Sequence, residues 1–198
     1  SDAFADTRRS GEAIAELRGP HPSLPTTLTP LFGRQRELTE LAALLAKPEV
    51  RLLTLVGLGG MGKTRLALAL AEQLCAGAPE EVVFAALANV GDAAAVPAAL
   101  AQALGRALPA EDAQAKLTSW LQDKKLLVLD NFEQLLDAAL PGAGRATALL
   151  TSLLHAAPNL SVLVTSRERL NLLGEHIYPV EGLAYAPAQP SPGDDGAP

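Results

Sequence analysis

Apolar residues along this chain form two kinds of pattern. Short, nearly continuous apolar runs alternate with longer stretches in which apolar side chains recur every three or four residues. A continuous run is typical of a buried strand, and the wider spacing is typical of a helix with one apolar face. The predicted strands cover residues 51–56, 81–87, 124–130, 160–165 and 176–180. The predicted helices cover residues 35–45, 65–74, 93–104, 113–122 and 146–156, with Pro97 in the first turn of the third.

The order of these elements predicts the fold class. Strands alternate with helices from residue 35 to residue 180, an order that is typical of an α/β domain with a mostly parallel sheet. The strands are apolar at nearly every position, which fits a sheet that helices cover on both faces. We therefore expect a three-layer α/β sandwich.

The two ends of the chain have a different composition. Residues 1–30 contain a short helical pattern at 11–18 and a proline-rich stretch at 20–25, and they are predicted to form a linker. Residues 184–198 are rich in proline, glycine and aspartate, which is typical of a disordered tail. We expect one domain at residues 31–183, cut from a larger chain.

Composition and charge narrow the function classes. The chain has 198 residues, a formal net charge of -6 and 4% aromatic residues, which disfavours a nucleic-acid-binding surface. Cys75 is the only cysteine, so no intrachain disulfide can form and a reducing compartment is expected. No export signal or membrane span is visible in the sequence, and a cytoplasmic location is expected. Trp120 has helical spacing from Leu117 and is predicted to pack in the core rather than to stack on a base.

The segment Gly-Leu-Gly-Gly-Met-Gly-Lys-Thr at residues 57–64 matches the pattern G-x-x-x-x-G-K-[ST] between a predicted strand and a predicted helix. Gly57 and Gly62 are expected to allow backbone angles that a side chain would block, so that loop N–H groups surround phosphate oxygens. Lys63 would bridge the β- and γ-phosphates, and the Thr64 hydroxyl would ligate Mg²⁺. The alternative is a glycine loop that only joins strand to helix. The predicted nucleotide-binding residues in this motif and its surroundings are Gly57, Gly59, Gly60, Met61, Gly62, Lys63, Thr64, Arg65 and Pro179.

The third predicted strand ends in a carboxylate, Asp130. Ligands of open parallel sheets bind beyond the carboxyl ends of the strands, so Asp130 and the glycine loop are expected to meet there. Asp130 would hold Mg²⁺, directly or through water, opposite Thr64. The alternative is that Asp130 caps the N-terminus of a helix.

An amide, Asn131, follows Asp130 at a position where many ATPases carry an acid that polarises the attacking water. An amide cannot accept a proton, so we expect hydrolysis to be slow. Glu133 is a candidate substitute for that acid. The alternative is a surface carboxylate on the first turn of a helix.

The fourth predicted strand ends with hydroxyl groups and an arginine, Arg167. If this strand lies between the first and the third, Arg167 would face the γ-phosphate and sense whether it is present. The alternative is an arginine paired with Glu168 or with solvent. The predicted catalytic set is Lys63, Asp130, Glu133 and Arg167.

Four segments of the chain stand in a fixed order. They are Leu-Phe-Gly-Arg-Gln-Arg-Glu at residues 31–37, the glycine loop with Gly-Lys-Thr-Arg, Leu-Leu-Val-Leu-Asp-Asn-Phe-Glu at 126–133, and Thr-Ser-Arg-Glu-Arg-Leu at 165–170. Together they closely resemble the STAND class of signal-transduction ATPases, most of all the NB-ARC-like nucleotide-binding domains of bacterial LuxR- and SARP-type transcriptional regulators. The resemblance covers residues 31–183. It implies a P-loop NTPase fold with a five-stranded parallel sheet in the order 5-1-4-3-2.

The resemblance also implies a ligand. In that family the segment that matches Phe32, Gly33 and Arg34 packs against adenine and ribose, so the implied cofactors are ATP or ADP with Mg²⁺. From the residues alone, Gly33 and Arg34 would be a turn that enters a helix. The family continues with small helical and winged-helix subdomains that close over the nucleotide. After Val180 this chain has only a short polar tail, so we expect both subdomains to be absent from it.

The function expected from these features is an adenine-nucleotide-binding regulatory module of a larger signalling or transcription protein. Its expected partners are the other domains of that protein and, in the ATP state, further copies of it; no direct nucleic acid contact and no membrane contact are expected. One alternative is a small P-loop phosphotransferase, although Arg145 is the only arginine between residues 131 and 160. The other is an AAA+-type motor ATPase, for which Arg106, Arg145 and Arg169 are candidate arginine fingers.

Overall fold

The computed structural model of the protein describes residues 24–25, 31–74, 78–136 and 144–182. The helices are α1 (Gln35–Leu45), α2 (Lys63–Leu74), α3 (Val96–Ala103), α4 (Ala113–Leu121) and α5 (Arg145–Ala156). The strands are β1 (Leu52–Val56), β2 (Val82–Ala86), β3 (Leu126–Asp130), β4 (Ser161–Ser166) and β5 (Glu175–Pro179). The predictions for Cys75, for the tail at 184–198 and for nearly all of the linker at 1–30 lie outside the described residues.

Each predicted strand and helix between residues 35 and 180 is present, with ends that differ by at most three residues. The largest difference is in the predicted helix 93–104, whose first residues form a separate 3-10 turn, Ala93–Ala95. The Asp92 side chain accepts a hydrogen bond from the Ala94 N–H at 2.8 Å and so begins this turn, and Pro97 lies in the first turn of α3 as predicted.

The strands form one parallel sheet in the order β2-β3-β4-β1-β5, which confirms the predicted order. Val56 at the end of β1 pairs with Ser166 at the end of β4 and with Pro179 at the end of β5. On the far side of β4, β3 ends at Asp130. The carboxyl ends of β1, β3, β4 and β5 therefore share one edge of the sheet, and the candidate site lies along that edge.

Alternate strand residues face opposite sides of the sheet and build two separate apolar cores. Leu52 belongs to the core with side chains of α3, α4 and α5, and its neighbour Leu53 belongs to the core with side chains of α1 and α2. This arrangement is the three-layer sandwich that the apolar strands predicted. Within the described part of the chain, no helix has the length and apolar character needed to cross a membrane.

Trp120 on α4 packs against the core formed with α3, α4 and α5, as predicted. The guanidinium of Arg106 lies over its ring, 5.2 Å from the ring centroid. A cation over an aromatic face is held electrostatically by the ring. Arg106 is thus engaged within its own domain, which weakens its candidacy as an arginine finger.

Candidate nucleotide-binding site

The glycines of the loop between β1 and α2 are required for two different reasons. Gly60 and Gly62 have φ angles of +80° and +83°, in the left-handed region that side chains disfavour. Gly57 is not among the residues with positive φ, so the predicted backbone-angle reason is wrong for it. A Cβ at Gly57 would instead lie 2.5 Å from the backbone carbonyl oxygen of Val180, which follows β5.

Lys63, the first residue of α2, projects its side chain back under the loop. Its Nζ donates hydrogen bonds to the carbonyl oxygens of Gly57 at 2.7 Å and Leu58 at 3.0 Å, and the residue is buried. The loop thus encloses a positive charge next to the N-terminus of a helix, where the helix dipole favours anions.

Asp130 lies at the centre of a hydrogen-bond network at the sheet edge. Its Oδ1 accepts hydrogen bonds from the hydroxyls of Thr64 at 2.7 Å and Thr165 at 2.6 Å. The carboxylate is therefore directed at the glycine loop, and the alternative of a helix cap is wrong. The hydroxyl groups at the end of the fourth strand were expected at this edge of the sheet, facing the γ-phosphate. Their contact with Asp130 was not expected, because it depends on the β3–β4 register, in which Leu129 pairs with Val164.

Asn131 turns the chain sharply after β3. Its φ of 63° lies in the left-handed region, which asparagine tolerates better than most residues with side chains. Its N–H donates to the Thr165 Oγ1 at 3.0 Å, so its main chain supports the network around Asp130. This backbone conformation favours asparagine or aspartate over glutamate at the position where an acid was considered.

Glu133 lies on the 3-10 turn Phe132–Leu135 that follows Asn131. Its Oε1 is 3.2 Å from Nε of Arg167, and the Glu133 side chain is only 13% exposed. The alternative of a surface carboxylate for Glu133 is wrong, and so is the pairing of Arg167 with Glu168. Arg167 also reaches the loop, because a Cβ at Gly59 would lie 3.7 Å from its Nη2.

A cleft of about 380 Å³ lies beside the glycine loop. Phe32, with 73% of its surface exposed, is a large apolar side chain at this cleft, and Gly33 with φ +70° sets the direction of the chain there. The cleft is lined by Leu31, Phe32, Arg34, Gly60, Met61, Gly62, Arg65 and Gly182. Six of the twelve predicted nucleotide-binding residues thus line one opening, and Pro179 lies on β5 at the same sheet edge.

Arg34 is 5% exposed and links three parts of the chain. Its Nη2 donates to the carbonyl oxygens of Met61 at 3.1 Å and Glu181 at 2.6 Å, and its Nη1 lies 2.6 Å from the Glu37 carboxylate. The hydrogen bond from Arg34 holds the pKa of Glu37 below its ordinary value. Arg34 also directly precedes the first turn of α1, as the interpretation of Gly33 and Arg34 from the residues alone predicted. Its side chain therefore holds the loop to the segment after β5.

The oxygen atoms of Thr64 and Asp130 suit Mg²⁺, which prefers hard oxygen ligands and is usually held by one or two carboxylates, water and substrate phosphates. Among the described residues, no group of three or more His, Cys, Asp or Glu side chains could hold a metal ion. The fit is thus to a metal ion that arrives with a phosphate ligand, rather than to a metal held by protein alone.

Residues 30–173 match the family model described as the AAA ATPase domain. The chain belongs to this family. The matched range contains both the glycine loop and Asp130.

The AAA ATPase domain has relatives among bacterial proteins. It is 37% identical over 163 residues to an uncharacterized protein of Mycobacterium tuberculosis, covering 79% of this chain and 38% of the relative. It is 37% identical over 146 residues to a "Putative HTH-type transcriptional regulator" of the same organism, covering 72% of this chain and 15% of the relative. It is 30% identical over 171 residues to the regulatory protein AfsR of Streptomyces griseus, covering 80% of this chain and 16% of AfsR. The chain spans less than two fifths of the length of these relatives.

Solved structures share the fold. Cdc6p from Pyrobaculum aerophilum superposes with a TM-score of 0.51 and 20% identity over 74% of this chain and 42% of that one. Drosophila ORC bound to DNA superposes with a TM-score of 0.52 and 19% identity, over 76% of this chain and 43% of that one. At this level of identity the likeness shows the fold alone. The family match and the regulator relatives confirm the predicted resemblance to nucleotide-binding domains of bacterial regulators.

Proposed function

We propose that this AAA ATPase domain binds ATP and ADP with Mg²⁺ and acts as the nucleotide-dependent switch of a larger, transcription-regulating protein of the STAND, NB-ARC-like class. The observation that carries the proposal is the contact of the Thr64 hydroxyl with Asp130 Oδ1 at 2.7 Å, next to the lysine enclosed by the glycine loop. This contact brings the second residue of α2, directly after the glycine loop, to a carboxylate at the end of β3, and it supports joint binding of a phosphate and a metal ion.

Phosphate binding rests on Lys63 and on the loop backbone. The ammonium now contacts two loop carbonyl oxygens, and phosphate oxygens are stronger partners for it because they carry negative charge. Bound Mg²⁺ would neutralise charge on the β- and γ-phosphates. Thr64 and Asp130 are the residues of this chain that would hold it.

The preference for adenine rests on the cleft beside the loop. Phe32 and Met61 offer an exposed ring and a flexible thioether to a flat base, and Arg65 lies at the same opening. Arg34 contributes mainly by holding Met61 and the loop in place through main-chain carbonyls. Base recognition would then depend on apolar contact and on the backbone.

The regulatory role rests on the relatives and on the expected slow turnover. A transcriptional regulator and the regulatory protein AfsR contain a segment similar to this domain. Asn131 cannot accept a proton, and Glu133, the only acid among the described residues 131–136, is paired with Arg167, which favours slow hydrolysis. A protein that holds its nucleotide for long periods is suited to signalling.

The test is isothermal titration calorimetry of the protein with ADP and ATP, with Mg²⁺ and with a chelator. Binding should depend on Mg²⁺, and Lys63→Met should weaken it by about tenfold or more, because it removes a charge-assisted contact to phosphate. Lys116→Met removes an exposed lysine of α4 and is the matched control, for which no change is expected. Absence of ADP and ATP binding by the folded wild-type protein would overturn the proposal.

A further inference from the structure

The amino edge of the sheet, where the strands begin, carries an apolar groove of about 280 Å³. Val82, Leu126 and Ser161, the first residues of β2, β3 and β4, line this edge groove. Leu45 and Leu74, the last residues of α1 and α2, also line it. Leu74 is 44% exposed, so apolar surface is open to water here. The candidate nucleotide site lies along the opposite, carboxyl edge of the sheet and shares no lining residue with the edge groove.

A single leucine projects at the same amino edge. Leu173 lies in the loop that joins β4 to β5, two residues before Glu175, the first residue of β5. Glu175 pairs with Leu52, the first residue of β1, so this loop reaches β5 at the edge where the strands begin. Leu173 is fully exposed, more than any other large apolar side chain in the described ranges. Burial of such a side chain is favourable because it removes apolar surface from water.

The loop fixes Leu173 in this exposed position by its own contacts. The Glu175 carboxylate accepts hydrogen bonds from the N–H groups of Leu170 at 2.9 Å and of Leu172 at 3.4 Å. Leu170 is buried in the core next to α3, α4 and α5, and Leu172 packs against the same core. Gly174, with a φ of +79°, supplies the left-handed turn after the tip. A side chain presented on a fixed backbone binds a partner at a smaller entropic cost than one on a loop that must first be ordered.

The loop and the edge groove match in charge. Residues 170–174 contain no charged side chain, and the Glu175 carboxylate is engaged by N–H groups of the loop. The groove lining contains one acid and one base, Glu81 and Lys125, and their side chains form an ion pair at 2.7 Å. An uncharged apolar side chain can therefore enter the groove without leaving a buried charge unpaired.

Leu173 and the edge groove lie apart on one face of the molecule. The groove lies at β2, β3 and β4, whereas the loop enters β5 at the other end of the sheet. Leu173 is fully exposed, so it does not fill the groove of its own chain. A two-fold axis in the plane of a face exchanges two points of that face between two copies, so one such axis seats both leucines in both grooves. This isologous arrangement is self-complementary and closes at the dimer.

We propose that two copies of this chain dimerise through the amino edges of their sheets, with Leu173 of each copy bound in the edge groove of the other. The candidate nucleotide sites lie on the carboxyl edges, so both stay open in the dimer. Dimerisation of this kind goes beyond the proposed function and requires no nucleotide.

Sedimentation velocity of the nucleotide-free protein over a range of concentrations tests the dimer. Small interfaces are usually weak, so we expect a monomer–dimer equilibrium with a dissociation constant of about 0.1 mM. Leu173→Ser should weaken dimerisation by about 100-fold, since the dimer loses two buried leucines that contribute about tenfold or more each. Ile177→Ser is the matched control, because Ile177 is 48% exposed but lies in the middle of β5, away from the amino edge, and no change is expected for it.

A second variant tests the groove. Ala46 directly follows α1, is exposed and lines the edge groove, so Ala46→Arg should fill the groove with a charged side chain and leave the core intact. It should weaken dimerisation as strongly as Leu173→Ser does. Ala43→Arg, at an exposed position of α1, is the matched control and should dimerise like the wild type. Circular dichroism checks that each variant is folded.

Mixing the two defective variants tests whether the leucine and the groove contact each other. Leu173→Ser retains an open groove and Ala46→Arg retains the leucine, so a mixed dimer has one correct contact and each variant alone has none. The mixture should therefore dimerise about tenfold or more tightly than either variant alone. Calorimetry of Leu173→Ser with ADP and ATP should match the wild type, which separates dimerisation from nucleotide binding.

A wild-type protein that stays monomeric well above the expected dissociation constant would overturn the proposal and leave the groove to another occupant, such as a further domain of a longer protein. Dimers that survive Leu173→Ser, or a mixture no tighter than its components, would overturn the contact between leucine and groove. Assembly beyond dimers would contradict the two-fold arrangement. Each of these results leaves the proposed nucleotide switch untouched, since none of them involves the carboxyl edge.

Discussion

Single residues at the glycine loop show how one residue type meets different physical demands. Gly60 and Gly62 are required by left-handed backbone angles, whereas Gly57 is required by the approach of the Val180 carbonyl oxygen to within 2.5 Å of a would-be Cβ. The obstructing atom belongs to the backbone after β5, so it cannot move without shifting the segment that Arg34 holds to the loop. Gly57 therefore links the loop to the edge of the sheet.

Gly57→Ala should destabilise the fold. The added methyl group meets a backbone oxygen, and such overpacking costs about 1 to 3 kcal/mol in the free energy of unfolding. Gly91→Ala is the matched control, because a Cβ there has nothing within 4 Å. Urea unfolding followed by circular dichroism measures both. Equal unfolding free energies for Gly57→Ala and the wild type would show that the close approach relaxes without loss.

At the scale of elements, α1 and β5 are joined by a polar contact outside the candidate nucleotide site. The Tyr178 hydroxyl on β5 donates to Oε2 of Glu40 on α1 at 2.7 Å, and Arg36 binds the other carboxylate oxygen at 2.8 Å. Burial, followed by the hydrogen bond to Glu40, raises the pKa of Tyr178 to about 12. The hydrogen bond from Tyr178, and then that from Arg36, lower the pKa of Glu40.

This contact should make stability depend on alkaline pH. The pKa of Tyr178 in the folded state is above its ordinary value of 10.0, so the folded state holds the phenol proton more tightly than the unfolded state does. The contribution is fully present below pH 10 and is lost as pH rises towards 12. Urea unfolding between these limits should show a steeper loss of stability for the wild type than for Tyr178→Phe. Parallel pH profiles would contradict the contact.

At the scale of the whole molecule, strand order assembles the site. Insertion of β4 between β1 and β3 places Thr165 beside Asp130, while the first turn of α2 brings Thr64 to the same carboxylate. These groups are far apart in the sequence and share no local pattern. Only the crossover of the chain at the sheet edge joins them, as is general for ligand sites in open parallel sheets.

Nucleotide should therefore stabilise the whole domain in a Mg²⁺-dependent manner. A ligand present at 100 times its dissociation constant adds about 2.7 kcal/mol to the free energy of unfolding. Thermal unfolding with ATP and Mg²⁺ should show this gain in the wild type, and Asp130→Asn should lose its Mg²⁺-dependent part. Asp123→Asn, at an exposed position, is the control. A gain of the same size in Asp130→Asn would exclude that carboxylate as a metal ligand.

The sequence by itself determined the elements, the fold class and the candidate loop of this protein. Periodicity is a local property, and a buried strand or an amphipathic helix must satisfy it residue by residue. The glycine-loop motif is equally local, since its glycines, lysine and threonine all lie within residues 57–64. The strand order followed from family resemblance, because periodicity alone does not state which strands are neighbours.

Only the tertiary structure decided the partners of the polar side chains. Arg167 pairs with Glu133 rather than with the adjacent Glu168, Thr165 joins Asp130, and Arg34 binds main-chain carbonyls. These contacts depend on strand register, on the left-handed turn at Asn131 and on the path of the chain after β5, none of which leaves a local pattern. Burial then selects among the partners, because a polar group removed from water must find one nearby in space rather than in sequence.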